Sequence, residues 1–149
     1  MSGCSGAIFG CGATLDFETK RPTVYLGLME HTAGFLKVVN EVRPRVKEIL
    51  PEQARERLAQ NPKAVLVDVR EDSEWNNGHA AGAIHLGKGV LERDIERTIP
   101  DPATEIIMYC GGGFRSALAA DMAQRMGYSR VYSLAGGYRA IVAANWQTA

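Results

Sequence analysis

Hydrophobic positions change period several times along this chain, and each change marks an element. Phe35, Leu36, Val38, Val39 and Val42 contain the i, i+3, i+4, i+7 set of an amphipathic helix. Pro44 ends that helix, because proline lacks an amide N–H and crowds the preceding turn. Residues 46–50 read either as a short strand or as a kinked continuation, since Val46, Ile49 and Leu50 suit both. Pro51 suits the first turn of a new helix that runs through Ala54 and Leu58 and closes near Asn61-Pro62.

Residues 64–69 (AVLVDV) form a valine-rich run between Pro62 and a charged segment, the pattern of a buried strand. Asn76-Asn77-Gly78 is loop chemistry, and residues 83–86 make a second short strand. A helix is predicted over 91–99, stopped by Pro100 and Pro102, and a third buried strand over 105–109 (EIIMY). Residues 116–126 give a further helix, with Leu118, Met122 and Met126 on one face and Gly127 at its C′ position. A strand over 131–134, Gly136-Gly137 and a last helix carrying Ile141, Val142 and Trp146 complete the pattern. Short apolar strands alternating with helices predict an α/β protein whose parallel sheet is covered by helices on both faces.

Composition narrows the function. With 149 residues, 46% apolar and 23% charged, the chain can bury a core, which excludes wholesale disorder. Its formal net charge is zero, against the basic excess of a dedicated nucleic-acid binder. No apolar run is long enough to span a membrane. The zero is uneven: residues 61–109 hold five basic and nine acidic side chains, residues 110–149 four basic and one acidic. Three cysteines (Cys4, Cys11 and Cys110) leave at least one unpaired, which points to a reducing, cytoplasmic setting and a working thiol. Residues 1–28, with five glycines and no period, read as an extension outside the core or as sequence upstream of a start at Met29. The apolar stretch 7–15 has no Lys or Arg before it, against a signal peptide.

The chemistry concentrates in Cys110-Gly111-Gly112-Gly113-Phe114-Arg115-Ser116, which runs from a strand end into a helix N-terminus. Ligands in such folds bind beyond the carboxyl ends of the strands. Glycines let successive N–H groups converge on one point, and the helix adds its own free N–H groups and positive dipole end. Those N–H groups and the dipole end favour the charged, nucleophilic form of a thiol placed there. Arg115 adds a permanent cation, which either orients an anionic substrate or ties the loop to a neighbouring carboxylate. Phe114 is an aromatic placed to shape the mouth of the pocket. Cys4 and Cys11 have no second pair at metal-ligand spacing.

The six residues Cys110–Gly–Gly–Gly–Phe–Arg115 resemble the active-site loop of the rhodanese sulfurtransferases. Val67-Asp68-Val69-Arg70-Glu71, Glu74-Trp75-Asn76-Asn77-Gly78-His79 and Gly82-Ala83-Ile84-His85-Leu86 are similar to the family's amino-terminal signature. Leu134-Ala135-Gly136-Gly137-Tyr138-Arg139 resembles its carboxy-terminal one, so the likeness covers about residues 46–146 of a domain spanning 29–149. The chain departs at Ile141, where many relatives carry Trp, at Ala80, where Ile is usual, and over residues 1–28. The resemblance implies a rhodanese-like fold, with a central parallel sheet of about five strands.

It also implies two-step covalent catalysis by the Cys110 thiolate, without metal or organic cofactor. Cys110 takes sulfane sulfur from a small anionic donor such as thiosulfate, holds it as a persulfide, and yields it to cyanide or a thiol. The loop N–H groups from Gly111 to Ser116 would hold the charged outer sulfur. Asp68, Arg70, Glu74 and His79 are expected in support: Asp68 capping a turn, Arg70 and Glu74 paired within one turn, His79 anchoring a loop by hydrogen bonds, with His85 and Trp75 as packing.

Three competing readings come with the family. A sulfur-relay or non-catalytic module would act on a partner protein. A cysteine phosphatase or arsenate reductase would carry Cys and Arg six positions apart, whereas Cys110 and Arg115 are five apart. The mercaptopyruvate branch usually has Ser or Thr where Gly112 stands.

Overall fold

The computed structural model describes residues 30–149. The extension over 1–28, with Cys4 and Cys11, and Met29 after it therefore lie outside the described residues. The chain divides into two units between Leu36 and Lys37. Of the first, residues 30–36 are described, and there the Leu36 N–H donates to Thr32 O at 3.0 Å.

A helix, α1, covers Ala33–Val42 and is followed by a 3₁₀ turn, Arg43–Arg45, where Pro44 forbids continuation. The segment left open between strand and helix is a strand, β1 (Lys47–Ile49). It leads into α2 (Pro51–Gln60), which starts at the proline expected in its first turn. Then come β2 (Val65–Asp68), α3 (Asp72–Asn76), β3 (Ile84–His85), α4 (Leu91–Thr98), β4 (Glu105–Tyr109), α5 (Phe114–Arg125), β5 (Arg130–Leu134) and α6 (Gly137–Ala143).

The five strands form one sheet in the order β1-β5-β4-β2-β3, and every pairing is parallel. β4 lies at the centre with all five residues buried: Ile106–Tyr109 as a core strand must be, and Glu105 because Arg57 and Arg130 pair with its carboxylate. Its alternation sends Ile106 and Met108 to one face and Ile107 and Tyr109 to the other. The first face packs with Val67, Leu91 and Ile95 of α4, and Ala117, Ala120 and Ala123 of α5. The second packs with Ile49, Leu66, Leu134, Ala54 of α2 and Ile141 of α6. The small side chains of α5 let its backbone approach the sheet closely, which brings its first turn to the end of β4.

Two helix ends and one whole element depart from the periodicity. α5 starts at Phe114 rather than at 116, because Gly113 (φ 101°) turns the chain into the helix at its N-cap. The last helix stops at Ala143, where Asn145 (φ 58°) reverses the chain and leaves Trp146 beyond it. α3 is an element that the apolar pattern does not announce. Its first turn is closed by the Glu71 N–H donating to Glu74 Oε2 at 3.1 Å.

Candidate active site

β2, β4 and β5 end side by side, with Asp68 in register with Tyr109 and Met108 with Ser133. Cys110 follows β4 directly and is 1% exposed. The N–H groups of Gly113 and Ser116 point at its Sγ, at 3.1 and 3.3 Å. Ser116 Oγ lies 3.5 Å from Sγ and 2.7 Å from the buried hydroxyl of Ser133 in β5. The sulfur thus sits at the head of α5, ringed by two amides and a relayed hydroxyl. Amides of Gly111, Gly112 and Arg115 carry no hydrogen bond to protein among the described residues.

Backbone-to-backbone packing holds the loop. Tyr138 N–H donates to Cys110 O at 2.6 Å and Arg139 N–H to Gly111 O at 3.3 Å. A Cβ on Gly137 (φ 56°) would collide with Cys110 O and lie 2.6 Å from Gly111 C. The Gly136-Gly137 pair is therefore a platform for the loop.

The charged residues divide into two groups. Asp68, fully buried, accepts from Arg70 Nε at 3.0 Å, from Arg70 Nη2 at 2.8 Å and from the Arg70 N–H at 2.9 Å. Arg70 also donates to Gly78 O at 2.7 Å and stacks 4.2 Å from the Tyr138 ring centroid. Tyr109 Oη accepts the Ala80 N–H at 3.0 Å, and burial, with Asp68 beside it, pushes the phenol's pKa up. This knot ties the ends of β2 and β4 to the 78–80 segment and to α6.

Glu74 belongs to the second group. The expected Arg70–Glu74 pair within one turn does not form, because Asp68 lies closer along the strand end and takes the Arg70 fork. Glu74 instead accepts both terminal nitrogens of Arg115, at 2.8 and 3.0 Å. Arg115 holds the Glu74 carboxyl below its ordinary range, against a smaller opposing effect of burial. Glu74, with a smaller contribution from Cys110, raises Arg115. Of the two roles open to Arg115, the geometry has the tie to a neighbouring carboxylate.

His79 stacks on Trp75 (centroids 3.4 Å apart, 3° between planes), with Nδ1 3.1 Å from Trp75 O. Its backbone N–H and C=O pair with Ala149 at 3.1 and 2.8 Å, so it joins the 78–80 segment to the stretch after α6. His85 stacks on Trp75 as well, and its Nε2 lies 2.9 Å from Arg70 O. Phe114, half-buried at the start of α5, carries the Arg43 guanidinium 4.7 Å from its ring centroid. No group of three His, Cys, Asp or Glu side chains stands close enough to hold a metal ion among the described residues.

Ser133 and Arg139 are among the residues at the site to which the sequence assigns no role. Ser133 was readable only as a polar residue inside an otherwise apolar strand (RVYSL). Arg139 lies in the quoted carboxy-terminal signature. Its guanidinium reaches back over the loop, so that a Cβ on Gly112 would lie 3.2 Å from Nη2.

A parallel α/β sheet that delivers a cysteine into an amide-lined loop at a helix head defines a class of thiol-bearing domains. The chain belongs to the Rhodanese-like domain family, whose model matches residues 50–144. It is 38% identical over 92 residues to the thiosulfate sulfurtransferase GlpE of Stutzerimonas stutzeri, covering 62% of this chain and 81% of that protein. It is 35% identical over 102 residues to the tRNA uridine(34) hydroxylase of Chlamydia trachomatis, covering 61% of this chain but 29% of that longer protein. Among solved structures, the Rhodopseudomonas palustris protein RPA3614, described as a "Possible Tyrosine Phosphatase", superposes with a TM-score of 0.68 at 28% identity, covering 81% of this chain and 98% of that one.

Proposed function

We propose that this protein is a sulfurtransferase of the thiosulfate (rhodanese) type, with Cys110 as its nucleophile. One observation carries the reading: the Cys110 sulfur lies 3.1 and 3.3 Å from two amide N–H groups at the head of α5, in a loop with further amides to spare. In the first step the Cys110 thiolate attacks the outer sulfur of thiosulfate. The new S–S bond forms as the S–S bond of thiosulfate breaks, and sulfite leaves with the electron pair. The product is Cys110–S–S⁻, whose terminal charge the amides of the 111–116 loop hold, as preorganised dipoles hold an oxyanion. In the second step cyanide, or a thiolate, attacks that outer sulfur and restores the Cys110 thiolate. Thiocyanate is released from cyanide, a new persulfide from a thiol. A small persulfide serves as donor by the same attack, and a protein thiol as acceptor by the second step.

The cysteine phosphatase reading gains nothing from the geometry. Ser116 occupies the sixth position after Cys110, and Arg115 is turned to Glu74. The test is turnover of thiosulfate and cyanide to thiocyanate alongside hydrolysis of an aryl phosphate. Thiocyanate formation that disappears in Cys110→Ser is the expected result. Phosphate release without thiocyanate would overturn the reading.

A further inference from the structure

Over the glycines of the loop stand the guanidinium groups of Arg115, by Gly111, and Arg139, by Gly112, and they are not equivalent. Arg115 has both terminal nitrogens committed to Glu74, at 2.8 and 3.0 Å, so a carboxylate already answers its charge. Arg139 is exposed, and its side chain has no carboxylate or other hydrogen-bond partner among the described residues. Asp121, the one acidic residue of the stretch 110–149, is itself paired with Arg45 at 3.0 Å.

Yet Arg139 is not a free-swinging surface residue at its root. Its N–H donates to Gly111 O at 3.3 Å, in the turn on which the loop rests. Its Nη2 lies 3.2 Å from where a Gly112 Cβ would be. Gly112 does not adopt a positive φ, so backbone conformation does not demand glycine there. The missing side chain leaves room for the guanidinium above the loop.

A thiolate attacking thiosulfate brings a negative nucleophile towards a dianion, and sulfite must then leave with its charge. A cation without a partner, planar and able to donate two parallel hydrogen bonds, meets that need. We infer that Arg139 is the anion-receiving group at the mouth of the Cys110 loop, gripping the sulfonate end of the donor while its outer sulfur faces Sγ. The identity of the donor rests on the sulfurtransferase reading; the anion-receiving role of Arg139 does not.

The experiment measures alkylation of Cys110 in the full chain by two reagents of similar size, anionic iodoacetate and neutral iodoacetamide. Arg139→Gln should lower the iodoacetate-to-iodoacetamide rate ratio about tenfold, the size of one hydrogen bond to a charged group. The iodoacetamide rate should stay within about twofold, which a structural disturbance of the loop would not allow. Arg139→Lys should recover most of the ratio, and the KM for thiosulfate in Arg139→Gln should rise about tenfold. An unchanged ratio, an equal fall with both reagents, or a Lys variant as low as Gln would overturn the inference. If the unaltered protein forms no thiocyanate, the sulfurtransferase reading fails, and the alkylation ratio still decides Arg139 by itself.

Discussion

Two regions at the same end of the sheet are built on opposite principles. Around Cys110 the contacts come from backbone amides and from the Ser116 and Ser133 hydroxyls. Around Asp68, one strand away, they come from side-chain charges: a buried Arg70 fork, then Glu74 on Arg115 at the surface side. On the sulfurtransferase reading proposed above, the difference separates chemistry from support. A reacting sulfur is best surrounded by fixed dipoles, which need no counter-charge and do not reorganise. The short α3 turn, which has no buried residue, and the end of β2 beside it are fastened instead by ion pairs.

The comparison can be broken at either region. The largest effect is expected from Asp68→Asn. It strands the Arg70 guanidinium without a carboxylate in a site where Asp68 is 0% and Arg70 5% exposed. Loss of one partner of a buried pair costs about 3–5 kcal/mol, read as a fall in denaturant unfolding free energy. An effect under about 1 kcal/mol would mean that the knot is not a fastening.

Gly137→Ala comes next and strikes the loop from beneath. The new Cβ meets Cys110 O and Gly111 C, and a φ of 56° already disfavours a side chain. A shift of the loop by about 1 Å is enough for about a hundredfold loss of sulfur transfer. Activity within threefold of the unaltered protein would contradict the platform role.

Ser133→Ala removes the buried partner of Ser116 Oγ, 2.7 Å away. Leaving that hydroxyl without its partner costs about 1–2 kcal/mol of stability. It should also slow persulfide formation, because Ser116 loses its orientation towards Sγ. Chemical denaturation and the first-turnover rate read the two effects separately.

The smallest effect belongs to Glu74→Gln, since both members of the Glu74–Arg115 pair are about one third exposed. Solvent screening limits its contribution to about 1 kcal/mol or less at neutral pH. The pair also sets a pH dependence. Arg115 depresses the Glu74 carboxyl, so its stabilisation is fully present above the unfolded-chain value of about 4.3 and is lost as pH falls through the depressed one. Unfolding midpoints measured from pH 7 towards 3 should converge for Glu74→Gln and the unaltered protein at the acid end. A constant gap would refute the assignment.

The backbone-built region was the more legible one. Residues 106–109 carry no polar interruption, Gly113 and Gly127 bracket α5, and the Cys-to-Ser loop between strand and helix states its own geometry. The charge-built region was not legible in the same way. Glu74 and Arg115 are 41 positions apart, and nothing local to either one marks the other. Arg70 and Glu74 looked like partners because they are close in sequence, but Asp68 and Arg70 leave the same strand end and meet first. α3 is five residues long, too short for a periodic apolar stripe, and its first turn is set by a side-chain cap. Ser133 looked like an ordinary strand residue until the sheet order placed β5 beside β4 and brought its hydroxyl to Ser116.

The central claim is that Cys110 itself carries the transferred sulfur. Mass spectrometry of peptides after brief exposure of the full chain to thiosulfate tests this most directly. The peptide containing Cys110 should gain the mass of one sulfur atom and lose it again on addition of cyanide. Sulfur found on a peptide containing Cys4 or Cys11, with the Cys110 peptide unchanged, would contradict the account.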